Sequence, residues 1–262
     1  MEIFCQIPIQ NLQFLKTADG YRASYEIAIA LFDRNDVQSA GLTFVDSVNV
    51  QHYEDIFRLD WPPHLVRFTF LLEPGEYQAN VHVLDMATRA YFRFEKHLTI
   101  PDYFGDGLKI SDLQLAVAIS RTDQESELVK NNLKIIPNVP HIFGTDSRIL
   151  YVYSELYNLD FPDQLCNSRF NAIFTIVDKN GRAIKSYNIA HEKPASSCAL
   201  SYAISLEDLQ AGPYRLTLQV EDSTNSRMAF QSTNLPSLLS PMANILKRSF
   251  PRCCVSSATL FL

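Results

Sequence analysis

Alternation of apolar and polar residues, rather than a helical period, runs through most of this chain. Tyr91-Phe-Arg-Phe-Glu-Lys-His-Leu-Thr-Ile100 alternates and stops at Pro101. Ile149-Leu-Tyr-Val-Tyr-Ser-Glu-Leu-Tyr157 and Arg215-Leu-Thr-Leu-Gln-Val220 are dense in β-branched and aromatic residues, which suit a pleated, half-buried surface. Clusters of Gly, Pro, Asn and Asp separate such runs, and short strands punctuated in this way predict a sandwich. Helical patterning is confined to two short stretches. Ser205-Leu-Glu-Asp-Leu-Gln210 predicts one capped turn before Gly212, and Glu125 to Leu133 predicts another short turn or a loop.

One module is written twice. Leu72-Glu-Pro-Gly75-Glu-Tyr77 leads into a run ending Val83-Leu-Asp85, and Leu209-Gln-Ala-Gly212-Pro-Tyr214 leads into one ending Val220-Glu-Asp222. Upstream, Tyr25 to Asp33 precedes the turn Arg34-Asn35-Asp36, as Phe170 to Asp178 precedes Lys179-Asn180-Gly181. In L-x-x-G-x-Y the leucine anchors a corner and the glycine lets the backbone turn. The tyrosine opens the next strand with its hydroxyl free to reach upstream backbone. That is similar to the tyrosine corner of immunoglobulin-like and fibronectin-type sandwiches. The expected fold is therefore all-β, two tandem antiparallel immunoglobulin-like sandwiches at residues 1–101 and 108–225. Pro101-Asp-Tyr-Phe-Gly-Asp-Gly107 would be the connector and residues 226–262 an irregular tail, which a truncated or shifted reading frame would explain.

Composition narrows the function classes. Of the residues, 47% are apolar and 20% charged, enough for real cores in a soluble domain. The net charge of −6 leaves no basic footprint for nucleic acid. Apolar stretches fall far short of a bilayer span, so no transmembrane segment is expected, and Met1-Glu-Ile-Phe-Cys does not begin a signal peptide. The five cysteines, Cys5, Cys166, Cys198, Cys253 and Cys254, contain no Cys-x-x-Cys pair. Buried thiols are expected, with a Cys166–Cys198 disulfide as the alternative in an oxidising compartment.

Several segments resemble the β-rich region of bacterial GWxTD-domain proteins. They are Leu12-Gln-Phe14, Asp19-Gly-Tyr21-Arg-Ala23, Ile110-Ser-Asp-Leu-Gln-Leu-Ala-Val-Ala-Ile119, Asn132-Leu-Lys-Ile-Ile-Pro137-Asn138 and Tyr151-Val-Tyr-Ser-Glu155-Leu-Tyr157-Asn158-Leu159. The likeness covers roughly residues 6 to 225. The namesake motif is absent, since Trp61 sits in Asp60-Trp-Pro-Pro63. The resemblance implies an extracytoplasmic setting and no particular chemistry.

Catalytic spacing is missing throughout. There is no G-x-S-x-G elbow, Walker loop or G-x-G-x-x-G. His52, His64, His82, His97, His141 and His191 never fall at metal-ligand spacing. Within the strands, His82 and His97 read as solvent-face or hydrogen-bonded residues. Asp33-Arg-Asn-Asp36 and Asp178-Lys-Asn-Gly181 gather oxygens, yet a calcium loop needs six or more, and these residues are what hairpin turns use. No catalytic, cofactor or metal residue is assigned, and no enzymatic activity is expected.

The most suggestive row is Tyr151, Tyr153, Glu155, Tyr157 and Asn158. The odd positions share one sheet face. They form a recognition surface if exposed, and sheet or inter-domain packing if covered. The expected function is a non-catalytic interaction or scaffold module of an envelope or secreted bacterial protein, with another domain or envelope protein as partner. The alternative is a carbohydrate- or peptide-binding accessory domain of a larger enzyme.

Overall fold

The computed structural model describes residues 1–57, 64–143, 148–161, 168–238 and 252–256. They contain no α-helix, and the chain is all-β. Two compact units divide it, the first from Met1 to Pro101 and the second beginning at Asp102.

In the first unit, one sheet holds β1 (Glu2–Ile7) and β5 (His64–Thr69). The other holds β2 (Leu15–Thr17), β3 (Gly20–Asp33), β4 (Gln38–Val50), β6 (Gly75–Asp85) and β7 (Tyr91–Ile100). β3 pairs with β4 on one side and with β6 on the other, and β6 pairs with β7. Alternation does the sorting. Ala23, Tyr25, Ile27, Ile29 and Leu31 face inward from β3, meeting Ala79, Val81 and Val83 of β6 and Ile3, Ile7, Val66 and Phe68 of the facing sheet. Two sheets closed over one apolar layer make a sandwich.

The second unit repeats the plan. Its first sheet holds β8 (Lys109–Ile110), β9 (Gln114–Arg121), β10 (Val129–Lys130), β11 (Leu133–Pro137), β13 (Ile149–Tyr157) and β16 (Cys198–Ser205). Its second runs β12 (Ile142–Phe143), β18 (Met228–Leu238), β17 (Gly212–Asp222), β14 (Arg169–Val177) and β15 (Ala183–Glu192). Leu150, Val152, Leu156 and Ile204 meet Phe170, Phe174, Ile176, Leu216 and Leu218 between them. Ladders are antiparallel except for the short β12–β18 pair.

The duplicated corners are built alike. Tyr77 donates its hydroxyl to the Glu73 carbonyl at 2.9 Å, and Tyr214 donates to the Gln210 carbonyl at 3.1 Å. Both duplicated Asp-x-Asn motifs close hairpins. The Asp33 carboxylate accepts the Asn35 and Val37 amides at 2.8 and 3.0 Å, and Asp178 accepts those of Asn180 and Arg182 at 2.9 Å each. The fourth turn residue is left-handed in both, at φ 59° for Asp36 and 79° for Gly181.

Three sequence expectations change. Neither short stretch is helical: Ser205 caps a single turn, its Oγ accepting the Glu207 amide at 3.2 Å while Leu209 N bonds the Leu206 carbonyl, and Val129–Lys130 is a strand. Met228–Leu238, placed in the irregular tail, is an edge-side strand paired along β17. Its Met-Ala-Phe-Gln-Ser-Thr alternation was masked by the proline and serines that follow. A further strand, β19 (Arg252–Ser256), lies beside β1, where the tail was read as structureless. Trp61 and Cys166 lie outside the described residues, and with them the Cys166–Cys198 pairing. Among the described residues Cys198 is a free thiol, and burial pushes its pKa up to about 11.

Candidate functional site

β13 carries the tyrosine row, and both of its faces are covered. Leu150, Val152 and Leu156 point into the main core. On the opposite face Tyr153 is 2% exposed and Glu155 and Tyr157 are each 6% exposed, with Tyr151 half-buried. The alternation read from sequence is therefore right, but the row is not an exposed strip. A roof brought from distant segments covers it: Ile135 on β11, Lys130 on β10, Asn131 just after it, and Tyr103.

Glu155 is the centre of a closed polar network. Tyr153 donates to its Oε1 at 2.6 Å, and Asn131 Nδ2 reaches the same oxygen at 3.4 Å while also donating to the Tyr153 hydroxyl at 2.7 Å. Tyr157 donates to Oε2. A buried carboxylate costs much free energy unless its oxygens are satisfied, and here the phenols supply that compensation. Tyr153 responds in turn. Burial, then the Glu155 charge, raises the Tyr153 pKa far above its ordinary value. The Tyr153 ring lies 5.5 Å below the Lys130 ammonium, which also donates to Gln114 Oε1 at 2.9 Å.

The same strand grips the segment that opens the second unit. Asn158, in the left-handed region at φ 61°, points its amide nitrogen at the carbonyls of Tyr103, Gly105 and Gly107, at 3.1, 2.9 and 3.0 Å. Asparagine tolerates that backbone conformation, and its NH₂ group is the donor the carbonyls need. The Tyr103 ring packs on Tyr157, with centroids 4.9 Å apart. Asp102 closes the loop from the other side, accepting the Phe104 and Gly105 amides at 2.9 and 3.1 Å. Two buried polar atoms beside this network, Tyr103 Oη and Gln114 Nε2, have no partner among the described residues.

A second buried charge lies elsewhere in the unit. The Lys193 ammonium, wholly buried, donates to Asp222 Oδ1, to the Asp160 carbonyl at 2.7 Å and to Thr224 Oγ1 at 2.8 Å. Asp222 also accepts the Asp160 and Thr224 amides at 2.8 and 2.9 Å. Desolvation pushes the Asp222 pKa upward. The Lys193 hydrogen bond, the two amides and the Lys193 charge outweigh it and hold the carboxyl below its ordinary range.

The histidines stay dispersed. His64 faces Asp46 at 3.5 Å and the Tyr25 hydroxyl at 3.0 Å, a cluster of one histidine and one carboxylate. His82 stacks beside Tyr91, His97 is exposed, and His191 lies flat on Phe170, its pKa lowered by burial. Among the described residues, no group of three or more His, Cys, Asp or Glu side chains could hold a metal ion. Nor is any helix there long and apolar enough to cross a membrane.

Tyr103, Lys130, Asn131 and Gln114 belong to the network, and sequence reasoning did not single them out. The only local signal is Asn131-Asn132, a pair suited to the left-handed turn both residues adopt, at φ 49° and 58°.

No family model matches the chain, and no curated protein matches it. Among solved structures it is similar to β-glucuronidase 2 of Bacteroides uniformis, as a calcium-binding mutant and as the enzyme covalently bound to cyclophellitol-6-carboxylate aziridine, and to a β-glucuronidase of the same organism. Identity is 13% in each, with TM-scores of 0.24 to 0.25. The match covers 89% of this chain but only 24 to 26% of those, so the chain spans about a quarter of their length. Similarity at that level carries no argument about chemistry.

Proposed function

We propose that the chain is a non-catalytic scaffold module of an envelope or secreted bacterial protein, the β-rich region of a GWxTD-domain protein, which positions or presents a further domain. The observation that carries this reading is the use to which Glu155, Tyr153, Tyr157 and Asn158 are put. The groups best suited to bind or transform a ligand are bonded to one another and to the segment 103–107. Such a clamp fixes how the chain enters its second sandwich, which a positioning module needs and an enzyme active site does not. The test is a turnover screen of the purified chain against glycoside, ester, peptide and acyl-transfer substrates. The expected result is no saturable turnover, and specific saturable turnover overturns the proposal.

The accessory-domain alternative loses its support on β13 and keeps one elsewhere. Tyr53 and Phe57 are 51% and 59% exposed, with centroids 5.3 Å apart, and Tyr21 lies against Tyr53 at 5.4 Å. Exposed rings of this kind can stack on a sugar or peptide. Binding of soluble glycans that is lost in Tyr53→Ala would favour it.

A further inference from the structure

A sheet ends in a strand whose outer edge still carries unused N–H and C=O groups, a template for another strand unless something blunts it. β7 is blunted by charge: Arg93, Glu95 and Lys96 lie within its ten residues. In the second unit β15 carries Lys185 and Glu192, β18 contains Pro236 and is paired with β12 at Ser237 and Leu238, and the edge strand β16 has 8 residues. β4 is different. It is 13 residues long, contains neither proline nor lysine, and among the described residues pairs only with β3. Its sole charge, Asp46, is turned toward Tyr25 and His64. Gly41, Thr43 and Val45 alternate along its exposed face, with Val45 54% exposed.

We propose that β4 is an interaction edge, and that its partner is the β4 edge of a second copy of this chain, paired antiparallel about a two-fold axis at Thr43. The self-complementarity of the strand selects that partner. With Thr43 opposite Thr43, Gly41 faces Val45 and Ser39 faces Ser47, while Leu42 faces Phe44 and Ala40 faces Asp46. No like charges meet, the bare glycine opposes the bulky valine, and threonine opposite threonine is a favourable cross-strand pair. An isologous contact of this kind closes after two copies, so it yields a dimer and not a fibre. The inference is independent of the scaffold reading, because it rests on the first unit alone.

The experiment is sedimentation equilibrium of the full chain over a concentration series, with amide hydrogen exchange read along β4. A monomer–dimer equilibrium is expected, with residues 41–45 more protected at high concentration than at low. Thr43→Lys sets two ammonium groups opposite each other and raises the dimer dissociation constant about tenfold or more, a penalty of about 1.4 kcal/mol. Thr43→Val leaves it unchanged. Should Thr43→Lys fail to fold, Thr43→Glu sets two carboxylates opposite each other at the same exposed position. A chain that is monomeric at every concentration overturns the proposal and leaves the edge to an extended segment of some other protein. A dimer indifferent to a charge of either sign at Thr43 overturns it equally.

Discussion

Asp85 and Asp222 occupy the same place in the two units, and each is buried, at 7% and 1% exposed. Each ends the strand that a tyrosine corner begins, and each carboxylate takes two kinds of backbone amide. One kind comes from the turn that follows: Ala87 and Thr88 in the first unit, Thr224 in the second. The other comes from a remote segment, Gln13 at 2.7 Å or Asp160 at 2.8 Å. There the likeness ends. Tyr25 and Phe170 lie opposite the two aspartates, and two residues before them Ala23 pairs with Val48 while the Ser168 carbonyl accepts the Lys193 amide. The position that is Lys193 in the second unit is thus Val48 in the first, packed on the apolar core. The repeats share a capping carboxylate but not its counter-ion. Amides alone suffice to keep the acid buried, and the added ammonium turns a turn cap into a knot joining residues 160, 193, 222 and 224.

The difference can be broken where it is greatest. Lys193→Met leaves a buried carboxylate facing no cation, and a loss of about 3–5 kcal/mol is expected in the urea unfolding of the second unit. The double variant Lys193→Met with Asp222→Asn recovers much of it, because the uncompensated charge is then gone. Glu155→Leu removes the acceptor shared by the buried Tyr153 and Tyr157 hydroxyls and costs about 2–4 kcal/mol in the same unit by the same measurement. Asp85→Asn replaces an acceptor of amides by a group that is half donor, and costs the first unit about 1–3 kcal/mol. A loss there as large as that from Lys193→Met would mean the ammonium adds nothing. Tyr77→Phe and Tyr214→Phe each remove one corner hydrogen bond at the surface. About 1 kcal/mol is expected in either unit, and unequal values would show that the two corners are equivalent only in geometry.

Acid sharpens the same contrast. The Asp222 carboxyl titrates lower in the folded chain than unfolded, so its contribution is fully present above the unfolded value of about 3.9 and is lost as pH falls through the lowered folded value. Unfolding free energy of the second unit, measured from pH 5 downward, therefore falls with pH, and Lys193→Met flattens that slope. The turn carboxylates Asp33 and Asp178 act in the same direction. Their backbone amide donors, foremost those of Val37 and Arg182, hold both below the ordinary range.

What the sequence made legible was local. Period-two alternation placed the strands, and the corner and hairpin motifs placed the repeat, because each encodes its geometry within a few residues. The same alternation put Tyr151, Tyr153, Glu155 and Tyr157 on one face. It could not say that Tyr103, Lys130 and Asn131 would roof that face, since those contacts span 22 to 54 positions of chain and leave no local trace. The strand Met228–Leu238 was missed for a related reason. Its pairing with β17 overrides a sequence whose turn-forming residues argue for a loop. The proline and two glycines of Pro101–Gly107 mark a connector but not its anchor, since the amide that fastens it comes from Asn158, 51 residues beyond its last carbonyl.

That amide also hangs the entry to the second sandwich on a single functional group. Hydrolysis of an asparagine side chain to aspartate scarcely alters its shape, but it exchanges a hydrogen donor for a negatively charged acceptor. At Asn158 the new carboxylate would confront three carbonyl oxygens at the distances that now bind them. Exchange of that one functional group would therefore release the opening segment of the second sandwich while leaving the chain at its full length.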